Sequence, residues 1–197
     1  MTPNVKAVAL FGGSFDPVHN GHIAVAKYVI EQGLVAEVIF TPVGVPWQKS
    51  QPKAAASDRK AMLELAVKDY PEFTVSSSEL DRSGVSYTID TVEELQAEDP
   101  TKKIYLLLGA DAANGVTTWH RAAELISKVN FLVVARNQQE SPELNFEFHF
   151  INMPMIDVSS SMIRNLVLSG NSVSHLVPNE VNSYILDHNL YKFSGVR

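Results

Sequence analysis

Short apolar runs alternate along the chain with segments of helical periodicity and with polar loops. Residues 5–11, 37–41, 104–108 and 131–135 are rich in Val, Ile, Leu and Phe, which is typical of strands buried on both faces of a sheet. Residues 23–31 lie between the first two runs and have a helical pattern. Strand, helix and strand within about 35 residues predict a βαβ unit, in which the strands are parallel and the crossover is right-handed.

The rest of the chain continues this alternation. Further strands are predicted at residues 73–76 and 146–151, and further helices at 57–69, 89–97, 122–129, 162–168 and 179–187. Ser57 is predicted to cap the first of these helices, with Asp58 in its favourable first turn. We therefore predict an α/β fold, a Rossmann-like doubly wound parallel sheet with helices on both faces. One domain over residues 1–197 is expected, with a small C-terminal helical extension from about residue 159.

The doubly wound topology predicts where a ligand binds. In such sheets ligands lie at the carboxyl ends of the strands. The most distinctive segments, residues 12–22, 42–49, 109–111 and 157–164, follow predicted strands. We expect all four to open at the same edge of the sheet.

Composition excludes several classes of protein. The formal charge of −6 argues against a general nucleic-acid binder, and the absence of cysteine excludes disulfides, thiolate catalysis and cysteine zinc sites. No apolar run approaches the ~20 residues that span a bilayer. The N-terminal glycines begin a motif rather than a cleavage site. We expect a cytoplasmic protein with no membrane partner, and homo-oligomerisation is left open.

The segment GGSFDPVHNGH, residues 12–22, lies between the first strand and its helix. Its glycines permit a sharp turn and a close approach of a ligand to the backbone, and Pro17 stiffens the loop. His19 and His22 are three residues apart, so both imidazoles can lie on one side of the helix start. Because free amides at a helix N-terminus also attract anions, this segment is suited to binding phosphates.

Two other segments carry candidate phosphate ligands. Serines 159–161 are sufficient to cap the next helix, and Arg164 on its first turn adds a forked cation suited to a polyphosphate. Lys49 ends the segment PVGVPWQK, in which two prolines limit the freedom of the loop. Without further context, a solvated lysine on a loop is the favoured interpretation of Lys49.

These segments resemble one enzyme family. His19-Asn20-Gly21-His22 is similar to the His-x-Gly-His tetrad of a nucleotidyltransferase superfamily, and the preceding GGSFDP resembles its bacterial nicotinate-nucleotide adenylyltransferase branch. The segments at residues 42–49, 86–91 (SYTIDT) and 159–164 (SSSMIR) resemble further motifs of that branch in the same order. The likeness continues to LVP at 176–178 and LY at 190–191, so it covers nearly the whole chain.

The resemblance implies transfer of the adenylyl group of ATP to nicotinate mononucleotide, a step of NAD biosynthesis. It implies catalytic roles for His22, His19 and Arg164. The implied ATP ligands are Gly12, Gly13, Phe15, His19, His22, Gly109, Asp111, Ser159, Ser160, Ile163 and Arg164. The implied ligands of the acceptor are Ser14 and Lys49 at its phosphate, and Thr88 and Trp119 at its ring. Mg²⁺ is expected to arrive with ATP, held by phosphate oxygens and water rather than by dedicated protein ligands such as Asp16.

Several residues keep two interpretations. Trp119 is either a core residue or the platform on which the ring stacks, and Asp111 either accepts from a ribose hydroxyl or caps a helix. Thr88 or Asp90 is a candidate cap for the predicted helix at 89–97. His120 differs from the aromatic residue that some family members carry there, and its role is left open. The histidines at 149, 175 and 188 belong to no chemical constellation.

Alternative functions also stay open at this point. The same tetrad serves phosphopantetheine adenylyltransferases and cytidylyltransferases, and nicotinamide mononucleotide differs from the nicotinate compound only by an amide. A catalytically silent nucleotide-binding regulator is a candidate from a different class, although such a sensor needs fewer phosphate ligands. Loop closure and regulation are not indicated by the residues.

Overall fold

The computed structural model describes residues 7–47, 50–135, 141–154 and 157–192. Within these residues the strands are β1 (Ala7–Gly13), β2 (Glu37–Pro42), β3 (Phe73–Val75), β4 (Lys103–Gly109), β5 (Asn130–Ala135) and β6 (His149–Asn152). All neighbouring strands are parallel, in the order β3-β2-β1-β4-β5-β6. The predicted doubly wound α/β sheet is confirmed.

The helices alternate with the strands as the sequence predicted. They are α1 (Asn20–Glu31), α2 (Ala56–Val67), α3 (Ser78–Asp81), α4 (Thr88–Glu98), α5 (Ala110–Ala113), α6 (Ala122–Lys128), α7 (Ser160–Leu168) and α8 (Asn179–Asp187). A 3₁₀ turn at Val116–Thr118 precedes α6. No helix in the described part of the chain combines the length and apolar character needed to cross a membrane.

Alternation along β1 divides the core into two layers. Ala9 packs in one apolar cluster and Val8 and Leu10 in the other, because successive side chains of a strand point to opposite faces. The cluster with Ala9 contains buried residues of α1, α2, α7 and α8, whereas the second contains those of α4, α5 and α6. Helices therefore cover both faces, and the C-terminal helices extend the layer formed by α1 and α2.

Several predicted boundaries differ from the structure. Helix α2 begins at Ala56 with Ala55 as its N-cap, so the prediction of Ser57 as the cap was wrong, although Asp58 does lie in the first turn. Helix α4 has Tyr87 at its N-cap, so neither Thr88 nor Asp90 caps it. The short helices α3 and α5 were not predicted. Their single turns are too short to produce a periodic pattern.

The strand order places a crevice in the middle of the sheet. From β1 the chain crosses to β2 on one side, and β4 pairs with β1 on the other. The two loops that leave β1 and β4 therefore diverge to opposite faces of the sheet. This point is where doubly wound proteins bind their ligands.

Candidate active site

A cavity of about 770 Å³ lies at the carboxyl ends of β1 and β4. This volume is in the usual range for small-molecule sites, which runs from about 300 to 1,000 Å³. The segments that line it include residues 11–16, 50–53, 107–112 and 158–161, together with His19, His22, Trp119 and Arg164. Three of the four segments that were expected at this edge contribute residues to the cavity. The described part of the fourth, residues 42–47, contributes none, and residues 50–53, which come after that segment, line the cavity instead.

The glycine loop, residues 12–18 at the end of β1, packs over a buried phenylalanine. Phe15 has a positive φ of 47° and is only 2% exposed, with its ring edge-on to Phe11 at 5.6 Å and to His22 at 5.0 Å between centroids. The side chain of Phe15 thus belongs to the core beneath the loop. An added Cβ at Gly12 would have no atom within 4 Å, so the backbone at Gly12 borders open space.

The two histidines of the tetrad lie at the start of α1. His19 is its N-cap, and the backbone N–H of His19 donates to Nδ1 of His22 at 3.2 Å. In the tautomer that accepts this bond, Nε2 of His22 carries the proton and is a hydrogen-bond donor. The rings of His19 and His22 stack with 3.7 Å between centroids. Both residues line the cavity, so the backbone fixes a donor of defined tautomer there.

Gly21 makes the close packing of this tetrad possible. A Cβ on Gly21 would lie 2.9 Å from Cγ1 of Val158 and 3.1 Å from Nδ1 of His19. The first distance is shorter than real Cβ atoms show and the second is tight, so a larger residue would displace the Val158 side chain and press on the His19 ring. Glycine is favoured here by packing and not by backbone conformation.

The N-terminus of α7 docks onto the glycine loop. The Ser159 hydroxyl caps the helix by accepting from the N–H of Met162 at 3.1 Å, which confirms the predicted cap. Ser160 donates to the carbonyl oxygen of Pro17 at 2.9 Å. Arg164 donates to the carbonyl oxygen of Asp16 at 2.7 Å and to the Ser161 hydroxyl at 3.0 Å. Hydroxyls, helix amides and a guanidinium therefore converge on one wall of the cavity.

Not every predicted ATP ligand points into the cavity. Ile163 is fully buried in the core, and its N–H bonds to the carbonyl oxygen of Ser159 within α7. Gly109 is the N-cap of α5, and Asp111 lies in its first turn, exposed and lining the cavity. The alternative of Asp111 as the helix cap is therefore wrong, whereas its predicted contact with a ribose stays a prediction.

Of the predicted acceptor ligands within the described residues, only two are found in the lining of the cavity. Ser14 and Trp119 line it, and the half-buried Trp119 also packs against the apolar cluster on that face of the sheet. Thr88 begins α4 and is not among the residues that line the cavity. Lys49 lies outside the described residues, so its predicted contact stays a prediction. His120 is exposed and stacks on Tyr87 with 4.1 Å between ring centroids.

The loop after β2 is tied to the segment that precedes α4. The Ser86 hydroxyl accepts from the N–H groups of Gly44 and Val45 at 3.1 and 3.3 Å, and the N–H of Ser86 donates back to the carbonyl of Val45 at 2.9 Å. Glu79 is buried beside this junction, and the Thr91 hydroxyl donates to it at 3.2 Å. Burial raises the pKa of Glu79 above its ordinary value.

Two basic residues near the cavity, Arg59 and Lys53, were not predicted from the sequence. Arg59 of α2 is 2% exposed and donates to the carbonyl oxygen of Ser14 at 2.9 Å, beneath the glycine loop. Burial lowers its pKa, an effect that the charge of Asp16 opposes. Lys53 is exposed at the rim of the cavity. An arginine in an otherwise amphipathic helix was the one available signal for Arg59, and it does not identify a partner.

Asp16 has a structural role that leaves little room for a metal. Its carboxylate accepts from the N–H groups of Lys53 and Ala54 at 2.7 and 3.0 Å and from the Tyr191 hydroxyl at 2.9 Å. Among the residues that the structure describes, no group of three or more His, Asp or Glu side chains is arranged to hold a metal ion. The lining instead offers hydroxyls, imidazoles and a guanidinium, which are ligands for anions.

Comparison with known proteins gives one consistent family. The cytidylyltransferase-like family matches residues 10–166. A probable nicotinate-nucleotide adenylyltransferase of Carboxydothermus hydrogenoformans is 39% identical over 196 residues, covering 94% of this chain and 98% of the relative. A second, from Trichormus variabilis, is 38% identical over 95% of this chain and 98% of its own length.

A solved structure supports the fold. Plasmodium falciparum nicotinic acid mononucleotide adenylyltransferase complexed with NaAD superposes with a TM-score of 0.80 at 20% identity. The match covers 94% of this chain and 97% of that one. Such a likeness at low identity shows that the sheet and its helices are arranged in the same way.

Proposed function

This chain belongs to the nicotinate-nucleotide adenylyltransferase family, and we propose that it transfers the adenylyl group of ATP to nicotinate mononucleotide. The products are nicotinate adenine dinucleotide and pyrophosphate, and the reaction is a step of NAD biosynthesis. The observation that carries the proposal is the cavity in which the stacked His19 and His22 lie between the glycine loop and Arg164. The relative solved with NaAD carries the product of this reaction.

The proposed chemistry is a direct displacement at the α-phosphorus of ATP. A phosphate oxygen of the mononucleotide forms the new O–P bond while the bond to the β-phosphate oxygen breaks, and pyrophosphate leaves with that electron pair. The attacking phosphate is already an anion near pH 7, so neither a general base nor a covalent intermediate is required. Catalysis then depends on holding two polyanions in line and on stabilising the charge that develops.

Each phosphate-binding group has a separate task in this mechanism. Nε2 of His22 donates to the α-phosphate, where charge develops, and His19 donates to the phosphates of ATP. Arg164 pairs with the β- and γ-phosphates, next to the amides at the start of α7. Ser14 and Lys49 hold the acceptor phosphate. Mg²⁺ brought with ATP, held by phosphate oxygens and water, would neutralise part of the phosphate charge.

The experiment is pyrophosphate release with ATP and Mg²⁺ and with three acceptors at equal concentrations: nicotinate mononucleotide, nicotinamide mononucleotide and phosphopantetheine. The Arg164→Ala variant, purified in the same way, shows whether the release belongs to this chain. We expect a clear preference for nicotinate mononucleotide in the wild type and a much lower rate in the variant.

Other outcomes separate the alternatives. Preference for the nicotinamide compound changes the acceptor but keeps the reaction. Preference for phosphopantetheine contradicts the assignment of Trp119 and Thr88 and leaves the phosphate site intact. ATP binding without pyrophosphate release for any acceptor contradicts the enzyme and favours a nucleotide-binding regulator.

A further inference from the structure

A tyrosine near the C-terminus reaches the glycine loop. Tyr191 follows α8 and has a positive φ of 62°. Its half-buried side chain donates a hydrogen bond from the hydroxyl to Oδ1 of Asp16 at 2.9 Å. The two residues are 175 positions apart in the sequence. Asp16, which is 3% exposed, is part of the wall of the cavity.

The carboxylate of Asp16 joins four parts of the chain. Besides Tyr191, it accepts from the N–H of Lys53 through Oδ2 and from that of Ala54 through Oδ1. The Nη1 atom of Arg164 lies 3.7 Å from Oδ2 and donates instead to the backbone carbonyl of Asp16 at 2.7 Å. The glycine loop, the segment before α2, helix α7 and the C-terminal segment therefore share this one anion.

With these contacts, two anions can compete for Arg164: the Asp16 carboxylate and the phosphates of ATP. The guanidinium is held at the edge of the cavity by neutral oxygens, the Asp16 carbonyl and the Ser161 hydroxyl. A carboxylate with fewer other donors attracts it more strongly, since each hydrogen bond to Asp16 disperses part of its charge. Burial and the charge of Asp16 raise the pKa of Tyr191, so the hydroxyl keeps its proton and remains a donor.

We propose that Tyr191 is a positioning residue, which by donating to Asp16 keeps Arg164 directed at the phosphates of ATP. The proposal rests on the proposed function, in which Arg164 meets those phosphates. Without the Tyr191 hydroxyl, Arg164 closes on the Asp16 carboxylate and is withdrawn from the ligand. Through Tyr191 the C-terminal segment thereby acts on a cavity that none of its described residues lines.

The chain offers a matched control for this bond. Tyr184 of α8 also donates to an aspartate, Oδ1 of Asp58, at 3.0 Å, and neither residue lines the cavity. Tyr191→Phe and Tyr184→Phe each delete one hydroxyl from a half-buried tyrosine of the C-terminal region. A purely structural role predicts that the two variants behave alike.

The measurements are the Kd for ATP by titration calorimetry, without acceptor, and the melting temperature. We expect both variants to melt slightly below the wild type. Only Tyr191→Phe should weaken ATP binding, by about tenfold, the order expected for a lost hydrogen bond to a charged group. In an Arg164→Ala background, Tyr191→Phe should cause no further loss, because it acts through Arg164.

Equal ATP affinities for the two tyrosine variants overturn the proposal. So does an undiminished effect of Tyr191→Phe in the Arg164→Ala background, which would place its action elsewhere. The test does not depend on turnover: a wild type that binds ATP but releases no pyrophosphate contradicts the proposed function alone. A wild type that binds no ATP contradicts both.

Discussion

The ring of His22 is fixed on more than one side. Its Nδ1 accepts from the backbone of His19, its face stacks on the His19 ring, and Phe15 approaches it edge-on at 5.0 Å between centroids. A donor that is oriented before the substrate binds needs no reorganisation as charge develops on the α-phosphate. This fixed geometry gives the first prediction.

Replacing His22 with alanine should lower kcat by about 10²–10³, the usual loss for one charge-stabilising donor. The free energy of unfolding should fall by only about 1 kcal/mol, since the ring is partly exposed and its bond to the His19 backbone joins residues three positions apart. Turnover by pyrophosphate release and chemical denaturation measure the two quantities. His149→Ala, at an exposed position of the edge strand β6, is the control. Near-normal turnover in His22→Ala would remove the catalytic assignment.

Residues within short motifs were predictable, whereas their distant partners were not. The positions of His19, His22 and Ser159 follow from the pattern of a strand, a loop and a helix N-terminus. The bond from Arg59 to the Ser14 carbonyl joins residues 45 positions apart, and nothing near Arg59 in the sequence identifies that partner. The location of Ile163 also depended on tertiary packing, which turned its side chain into the core.

At the scale of elements, Glu79 connects two helices to the loop after β2. It lies in α3, accepts from Thr91 of α4, and interacts with the Ser86 hydroxyl that holds Gly44 and Val45. Burial is the largest cause of its raised pKa, and the bond from Thr91 opposes it. The folded protein therefore binds the Glu79 proton more tightly than the unfolded chain does.

This raised pKa predicts how stability changes with pH. Its contribution is fully present below the ordinary glutamate pKa of 4.5 and is lost as pH rises through the higher folded value. Glu79→Gln removes the titration, so the melting temperature of the variant relative to wild type should increase from pH 4.5 towards neutrality. Thermal unfolding at a series of pH values measures this difference.

Glu180 provides a control of opposite sign. It is an exposed partner of Lys68 at 2.8 Å, which lowers its pKa. The stability that it contributes is present above the ordinary pKa and is lost as pH falls through the folded one. The melting temperature of Glu180→Gln relative to wild type should therefore decrease as pH rises towards neutrality. If the melting-temperature difference between Glu79→Gln and wild type does not change with pH, or decreases towards neutrality as for Glu180→Gln, the buried carboxyl does not titrate as described.

The elements were predicted in type better than in extent. Long apolar runs such as that of β4 predicted strands well, because parallel strands are buried on both faces. The start of α2 was misplaced by the preference of serine for N-caps, whereas the backbone of Ala55 occupies that position without a side-chain bond. The preference of Ser57 for the N-cap was outweighed by contacts of the preceding segment, in which the N–H of Ala54 donates to the Asp16 carboxylate.

At the scale of the whole molecule, the site depends on the order of the strands. Alternation of strands and helices predicted a doubly wound sheet, but the order β3-β2-β1-β4-β5-β6 depends on contacts between distant segments. That order places the carboxyl ends of β1 and β4 next to each other, and the N-terminal part of α7 also lines the cavity between the diverging loops. Lining residues therefore extend from Phe11 to Arg164, over most of the described chain.

A ligand that bridges such distant segments should stabilise the whole protein, because the unfolded chain does not hold them together. ATP at 100 times its Kd is expected to add about 2.7 kcal/mol to the free energy of unfolding. For a chain of this size, that corresponds to a rise of about 5–11 °C in melting temperature. Adenosine at the same concentration lacks the phosphates that His19, His22 and Arg164 are placed to bind, so it should shift the melting temperature far less. An equal shift with adenosine would mean that binding depends on the base and the ribose rather than on the phosphate site.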